Sequence, residues 1–439
     1  MMRGRRWRSF ALIGAVALVG AACGDDGGGG GQGLQADDLS GETIEVAAIW
    51  GEDTGEAQSF AEVIALFEQQ TGATVEYTST GDDLPTVIGG RIAGGDPPDV
   101  ALVAQPGTIA DFAAQDALVP LDGTAAADAL DANYEPSWRE LGSVDGTLYA
   151  IYFKATNKAT VWYNLNAFND AGVSPPATWD ELLTTAGTIS DSGVPPFAVD
   201  GASGWVLSDW FESIYLRTAG PEMYDQLANH EIPWTDRSVK DALARFAEVL
   251  GSDDLAGGTD GTLQSEFPNS VTVAFADPPG AAMVYEGDFV GGVVSTETSS
   301  VLGTDADFFE FPSIDGSPSS SVISGDAAVL FNDTPAGQAF MEYLATPDAA
   351  AVWAALGGFT SPNKSLDPSV YPDEIAQRWN EQLANAEAVR FDMSDLQPAA
   401  FGATAGQGIW GLLQEFVRDP SDIDGTAQKL EDEAAAAFG

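Results

Sequence analysis

Strands and helices take turns through the early part of the chain, and that alternation is the strongest constraint on its fold. TIEVAAIW, from Thr43 to Trp50, has the pattern of a strand. In the segment that follows, Phe60, Val63, Ile64 and Phe67 recur at helical spacing before Gly72, a residue suited to ending a helix. ATVEYTS then predicts a second strand, LPTVIGGRIAGG a helix closing on glycines, PPDVALVAQ (97–105) a third strand, and TIADFAAQDAL another helix. Strand–helix repetition of this kind implies a parallel sheet with right-handed crossovers, and such sheets bind ligands beyond the carboxyl ends of their strands. The loops at those ends are WGEDTG, TGDD and AQPG.

The β-rich stretch LYAIYFKATNKATVWYN, Leu148 to Asn164, predicts a crossing into a second region of mostly helical character. TWDELLTTAGTI, SDWFESIYLRTAG and VKDALARFAEVL each place apolar residues at helical spacing there, and AAMVYEGDF is strand-like. FFEFPSI, Phe308 to Ile314, is extended again, GDAAVLF resumes the pattern of the first half, and the stretch from about Asp373 reads as helical. The expected fold is α/β, with two domains built from segments not adjacent in sequence, extended hinge crossings and an interdomain cleft. The predicted lobes are 39–153 with 318–360, and 154–317 with 361–439. An apolar content of 44% is enough for two cores.

Ahead of this body, Arg3, Arg5, Arg6 and Arg8 precede an uncharged run, Phe10 to Ala22, that ends at Cys23, the sole cysteine. The run has 13 residues, short of the ~20 that a permanent membrane span needs, and reads as an export signal over residues 1–22. VGAAC resembles a bacterial lipobox, with Gly20 where such boxes usually carry leucine. Cys23 is therefore the expected lipidation site, and residues 23–38, rich in glycine, are the expected flexible tether to the cell membrane. Loss of the four leader arginines would leave 13 basic against 67 acidic residues, a formal charge of 13 − 67 = −54. Such a surface repels nucleic acid.

Several chemistries are excluded. His230 is the one histidine, so neither a histidine-bearing catalytic triad nor a histidine metal cluster can be assembled. There is no Walker loop, no cysteine pair and no EF-hand loop. No metal or other cofactor is expected.

From about Thr43 to the C terminus the chain resembles the extracellular solute-binding proteins of bacterial ABC importers for oligosaccharides, the family that includes maltose-binding protein. VWYNLNAFNDAGVSPPATWDELL, Val161 to Leu183, is similar to the family's YN…F…AG…P.TW.EL pattern. GGDPPDVAL, GAAMVYEGDF, FPSIDG with SGDAAVLF, and AFMEYLATPDAAAVWAALGGFTSPNK resemble further family stretches in the same order. Within the family, LGSVDGTLYAIYFKATNKATVWYN, FADPPGAAMVY and RFDMSDLQPAA resemble α-glucoside-binding proteins. The resemblance implies a monomeric, non-enzymatic receptor that closes on a sugar and delivers it to the permease subunits of the importer.

Sugars present hydroxyl edges and apolar C–H faces, so a sugar site combines flat aromatic rings with carboxylates and amides. The expected contacts are Trp50, Glu52 and Asp53 after the first strand, Gln105 and Pro106 after the third, and Lys154 and Asn157 from the crossing. The second region would add Trp205, Asp209 and Trp210 from GWVLSDW, and Glu286, Asp288 and Phe289 from YEGDF. Asp326, Phe359 and Asp392 complete the set. Two other readings stay open at this point: a secreted glycosidase using paired carboxyls, and a receptor for a non-sugar solute.

Overall fold

The computed structural model describes residues 38–51 and 53–439. The leader, Cys23, the glycine-rich tether and Glu52 lie outside the described residues.

The alternation builds a six-stranded sheet. Thr43–Ala48 runs parallel to Thr74–Ser79, with Thr43 opposite Thr74, and parallel to Val100–Val103, with Val46 opposite Val100. The intervening helix, Gly55–Thr71, ends where expected: Gly72 takes the left-handed conformation at φ 77° and its N–H bonds to the Glu68 carbonyl.

Beyond this parallel core the sheet is mixed. The eleven-residue strand Ser320–Leu330 is antiparallel to Val100–Val103 on one edge and to Ala150–Asn157 on the other. Its register against Ala150–Asn157 slips between Asp326 and Ala327, at the point where Asp326 faces Lys154. Such a bulge re-aims side chains. The C-terminal stretch read as helical also contains a strand, Ala388–Phe391, which lies parallel to Ser320–Leu330 in the first sheet. AVRF is too short, and its first three residues too exposed, to show a period of its own.

Lys158 and Ala159 are the only residues between Ala150–Asn157 and the next strand, Thr160–Asn164, which is the centre of a separate three-stranded sheet. Met283–Tyr285 and Ala306–Glu310 flank it, both antiparallel. The helices Trp179–Asp191, Trp205–Ala219 and Arg237–Leu250 contribute to its core. The TWDEL motif has a local cause. Thr178 accepts a hydrogen bond from the Glu181 N–H while the Glu181 carboxylate accepts from the Thr178 N–H, which closes a capping box at the helix start.

Period-two alternation divides the first sheet's side chains between two cores. Ile151 and Phe153 enter one and Ala150 and Tyr152 the other. A third core takes one face of the second sheet, with Val161, Tyr163, Met283 and Tyr285, while Trp162, Val284 and Phe308 on the other face join the core of Ile151 and Phe153. No helix among the described residues is long and apolar enough to cross a membrane.

Candidate functional site

The strand-end loops of the first sheet and segments of the second region line a common cleft with about 1140 Å³ of empty space, part of it open to solvent. Trp50 follows the first strand and Gln105 follows the third, as the topology requires. Lys154 and Asp326 come from neighbouring strands at the bulge. Trp205, Phe267 and Phe289 face the same space, with Asp392, Ser394, Asp395 and Trp410 from the C-terminal part of the chain. Gly204 positions two of these rings. At φ 96° it precedes the Trp205 helix, and a Cβ on it would stand 2.6 Å from the Trp410 Cβ.

Two buried lysines organise the polar part of the cleft. Lys154 Nζ lies 2.6 Å from Glu56 Oε1 and 3.6 Å from Asp326 Oδ2. The same nitrogen sits over the rings of Trp353 at 5.2 Å, Trp50 at 5.3 Å and Phe289 at 5.8 Å. Lys158 Nζ lies 2.8 Å from Asp209 Oδ1 and 2.5 Å from Asp392 Oδ2, and 5.8 Å from the Trp205 ring centroid. Burial opposes the charge on both lysines, but the surrounding carboxylates outweigh it and both stay above the ordinary lysine range.

The carboxyls divide by environment. Burial pushes Asp209 up to about 8 despite Lys158, with the charge of Asp392 adding to the rise. Burial also acts to raise Asp392, but the Lys158 charge and hydrogen bonds from Lys158 and Ser394 leave it below its usual range. Glu286 and Glu212 are raised, chiefly by burial. Asp209 Oδ2 and Glu286 Oε1 have no protein hydrogen-bond partner among the described residues. Glu212 accepts from the backbone N–H groups of Met393 at 2.6 Å and Ser394 at 3.0 Å, and from the Tyr224 hydroxyl at 2.9 Å.

Of the expected contacts, the structure brings Trp50, Gln105, Lys154, Trp205, Phe289, Asp326 and Asp392 together on the cleft wall. Others stand behind it. Asp209 and Glu286 are fully buried around Lys158. Asp288 accepts from the Asn157 N–H at 3.0 Å and from the Thr360 hydroxyl, and Asn157 Nδ2 donates to the Trp379 carbonyl, so both brace the crossing instead of reaching the cleft. Trp210 packs in the second core against Phe197, Tyr285 and Phe311, because it lies on the inward side of a helix that is buried for most of its length. Phe359 stacks on Trp353 at 5.3 Å inside the first core. Pro106 starts the helix Pro106–Ala114 and Asp53 is exposed; neither lines the cleft.

Sequence reasoning missed Lys158, Asp395, Trp410 and Phe267. Lys158 carried a signal, being one of only five lysines and four residues from Lys154 in KATNK. Asp395 stood three residues beyond the chosen Asp392, and nothing in the pattern ranked one over the other.

The family described as bacterial extracellular solute-binding protein matches residues 51–351. An osmoprotective compounds-binding protein of Synechocystis sp. is 34% identical over 394 residues, which covers 88% of this chain and 91% of the relative. An alpha-glucosides-binding periplasmic protein of Rhizobium meliloti is 35% identical over 405 residues, 88% of this chain and 86% of the relative. The solved structure of the bacterial solute receptor AcbH, described with an exclusive substrate preference for β-D-galactopyranose, matches at a TM-score of 0.79 and 20% identity. That match covers 91% of this chain and 100% of the other. The α/β, two-domain receptor fold with its cleft is therefore the fold of this chain.

Proposed function

The chain belongs to the bacterial extracellular solute-binding proteins, and on that premise we propose that it captures an oligosaccharide, an α-glucoside, for delivery to the permease of an ABC importer. The observation that carries the reading is the pairing in one cleft of flat rings, Trp50 and Trp205, with buried carboxyls. Rings cover the C–H faces of a pyranose and carboxyls accept from its hydroxyl edges. The relative from Rhizobium meliloti, named for alpha-glucosides, supports the narrower substrate class. The family is one of binding proteins and not of enzymes, so the close carboxyls serve binding and the local structure.

In this reading the lobes 39–153 with 318–360 and 154–317 with 361–439 close on the ligand about the crossings. An open form separates the half-sites, and a sugar that touches both lobes shifts the population toward closure. The ligand meets Trp50, Gln105, Lys154, Trp205, Phe289, Asp326 and Asp392 directly, while Asp209, Glu286, Asp288 and Asn157 hold those groups in place. The protein acts as a monomer, held at the cell membrane by acylated Cys23.

Maltose, trehalose and sucrose, titrated separately against the purified protein, test the substrate class. At least one should raise the thermal midpoint and change tryptophan fluorescence. Silence from all three would remove the α-glucoside assignment, and mass spectrometry of the gently extracted native protein would then identify the solute it carries.

A further inference from the structure

Resting on the reading of the cleft as a sugar site, we propose that Asp395 is a specificity-determining ligand carboxyl, which takes a pair of ligand hydroxyls and makes the site refuse anionic sugars.

The backbone that presents Asp395 is fixed from several sides. Asp392 Oδ1 accepts from the Asp395 N–H at 3.1 Å and from the Ser394 hydroxyl at 2.7 Å, and Glu212 accepts from the two N–H groups before it. On the opposite side the chain presses onto the helix Pro106–Ala114. A Cβ on Gly107 would stand 2.0 Å from the Gln397 carbonyl oxygen, so only glycine permits this approach.

The Asp395 side chain, by contrast, feels the charge of Lys158 but has no hydrogen-bond partner. It lines the cleft and is only 5% exposed, yet among the described residues its carboxyl makes no hydrogen bond and no ion pair. The neighbouring acids differ. Glu56 and Asp326 are engaged by Lys154, and Asp392 by Lys158. A cleft-facing carboxyl that no protein donor engages is free to accept from a ligand, and a ligand that supplies donors as the site closes gains those hydrogen bonds on binding. Burial and the charge of Asp392 also hold Asp395 well above the ordinary carboxyl range, as expected of a group that lacks donors.

The charge around it sets the class of ligand. Lys154 and Lys158 are the cations lining the cleft among the described residues, and each is matched by two carboxyls. Neither has charge to spare for an anion. Asp82, Glu297 and Asp395 add further acids to the wall. A phosphate or carboxylate on the ligand would therefore find no unmatched cation on a wall rich in acids, while adjacent hydroxyls can both donate to Asp395.

The test compares trehalose and sucrose with their 6-phosphates by calorimetric titration, on the wild-type protein and on Asp395→Asn. Asp395→Ala is a second variant that introduces no new donor, and thermal midpoints establish that each variant is folded. The wild type should bind a neutral sugar roughly a hundredfold more tightly than its phosphate. In the variants, neutral binding should weaken roughly tenfold and the gap to the phosphate should narrow. Neutral affinity that stays the same, or a gap that does not narrow because bulk alone excludes the phosphate, overturns the role of Asp395 and leaves the sugar reading standing. If the wild type binds neither neutral sugar, maltose and its 6-phosphate take their place, and silence from all three neutral sugars removes the α-glucoside assignment and this inference with it.

Discussion

Asp209 Oδ1 stands 2.8 Å from Lys158 Nζ, and Asp392 Oδ2 approaches the same nitrogen to 2.5 Å. One cation, set in the two-residue link between the sheets, thus ties the Trp205–Ala219 helix to the segment after Ala388–Phe391. All three groups are buried. Removing the cation leaves two buried acids facing each other, a change that costs about 3–5 kcal/mol when one partner of a buried ion pair is deleted. Lys158→Met should lower the unfolding free energy by that order, and with it the denaturation midpoint, and abolish solute binding. Urea unfolding checks the first effect, and an unchanged midpoint would mean that the two acids are held neutral without the lysine.

Trp205 and Trp210 separate binding from packing. Trp205 lines the cleft against Phe267 at 5.6 Å, whereas Trp210 has no exposed surface and sits edge-on to Phe197 at 5.3 Å. Trp205→Ala should weaken sugar binding with a small effect on stability. Trp210→Ala should cost about 3–5 kcal/mol of stability. Paired binding and denaturation measurements on the two variants check this, and a reversal of the two phenotypes would relocate the site.

These two tryptophans also mark how far the sequence could be read. The strand and helix order was legible because periods of two and 3.6 are sequence properties, and so were Gly72 as a helix stop and the loops that carry Trp50 and Gln105. Strand direction was not: the antiparallel course of Ser320–Leu330 depends on which strand it meets, and four residues of AVRF carry no period. Burial at the site was equally hidden. Phe359 sits between turn-forming residues in GGFTSPN yet is fully buried, because Phe153 of the distant crossing strand packs on it at 5.4 Å beside Trp353. Lys158 carried a signal in its rarity and its spacing from Lys154, but Asp395 could be named only once the fold brought the segment after Ala388–Phe391 to the first sheet.

The buried acids give stability a definite pH slope. Burial pushes Asp288 up to about 6 and Asp209 up to about 8, so the folded state holds these protons more tightly than the unfolded chain does. Their contribution is fully present below the ordinary aspartate value near 3.8 and is lost as pH rises through about 6 and then about 8. The formal charge of −50 acts in the same direction, since partial neutralisation relieves self-repulsion. The thermal midpoint should therefore be higher at pH 5.5 than at pH 8, and Asp288→Asn should flatten the slope near pH 6. A midpoint that climbs from pH 5.5 to 8 would show that Asp209 and Asp288 are ionised in the fold. Below the ordinary aspartate range the trend should reverse, because Asp392, held low by Lys158, loses its ion pair when protonated.

Cys23 lies outside the described residues, and its proposed role follows from chemistry and sequence position. Acyl chains contribute about 0.8 kcal/mol per buried methylene, so more than one chain on a single thiol-bearing residue holds a protein at a bilayer without a spanning helix. The glycine-rich segment that follows, GDDGGGGGQG, would let the receptor sample the membrane surface. Tethering matters because docking to a permease becomes intramolecular in effect, at a concentration set by the tether's reach instead of by the surrounding volume. Radiolabelled palmitate should enter the wild-type protein in cells and be lost in Cys23→Ser, with the variant released into the medium or periplasm and still able to bind sugar. Uptake at low solute concentration should fall more than uptake at high concentration, since only the first depends on local enrichment. Membrane retention without label in Cys23→Ser would show that the uncleaved leader is the anchor.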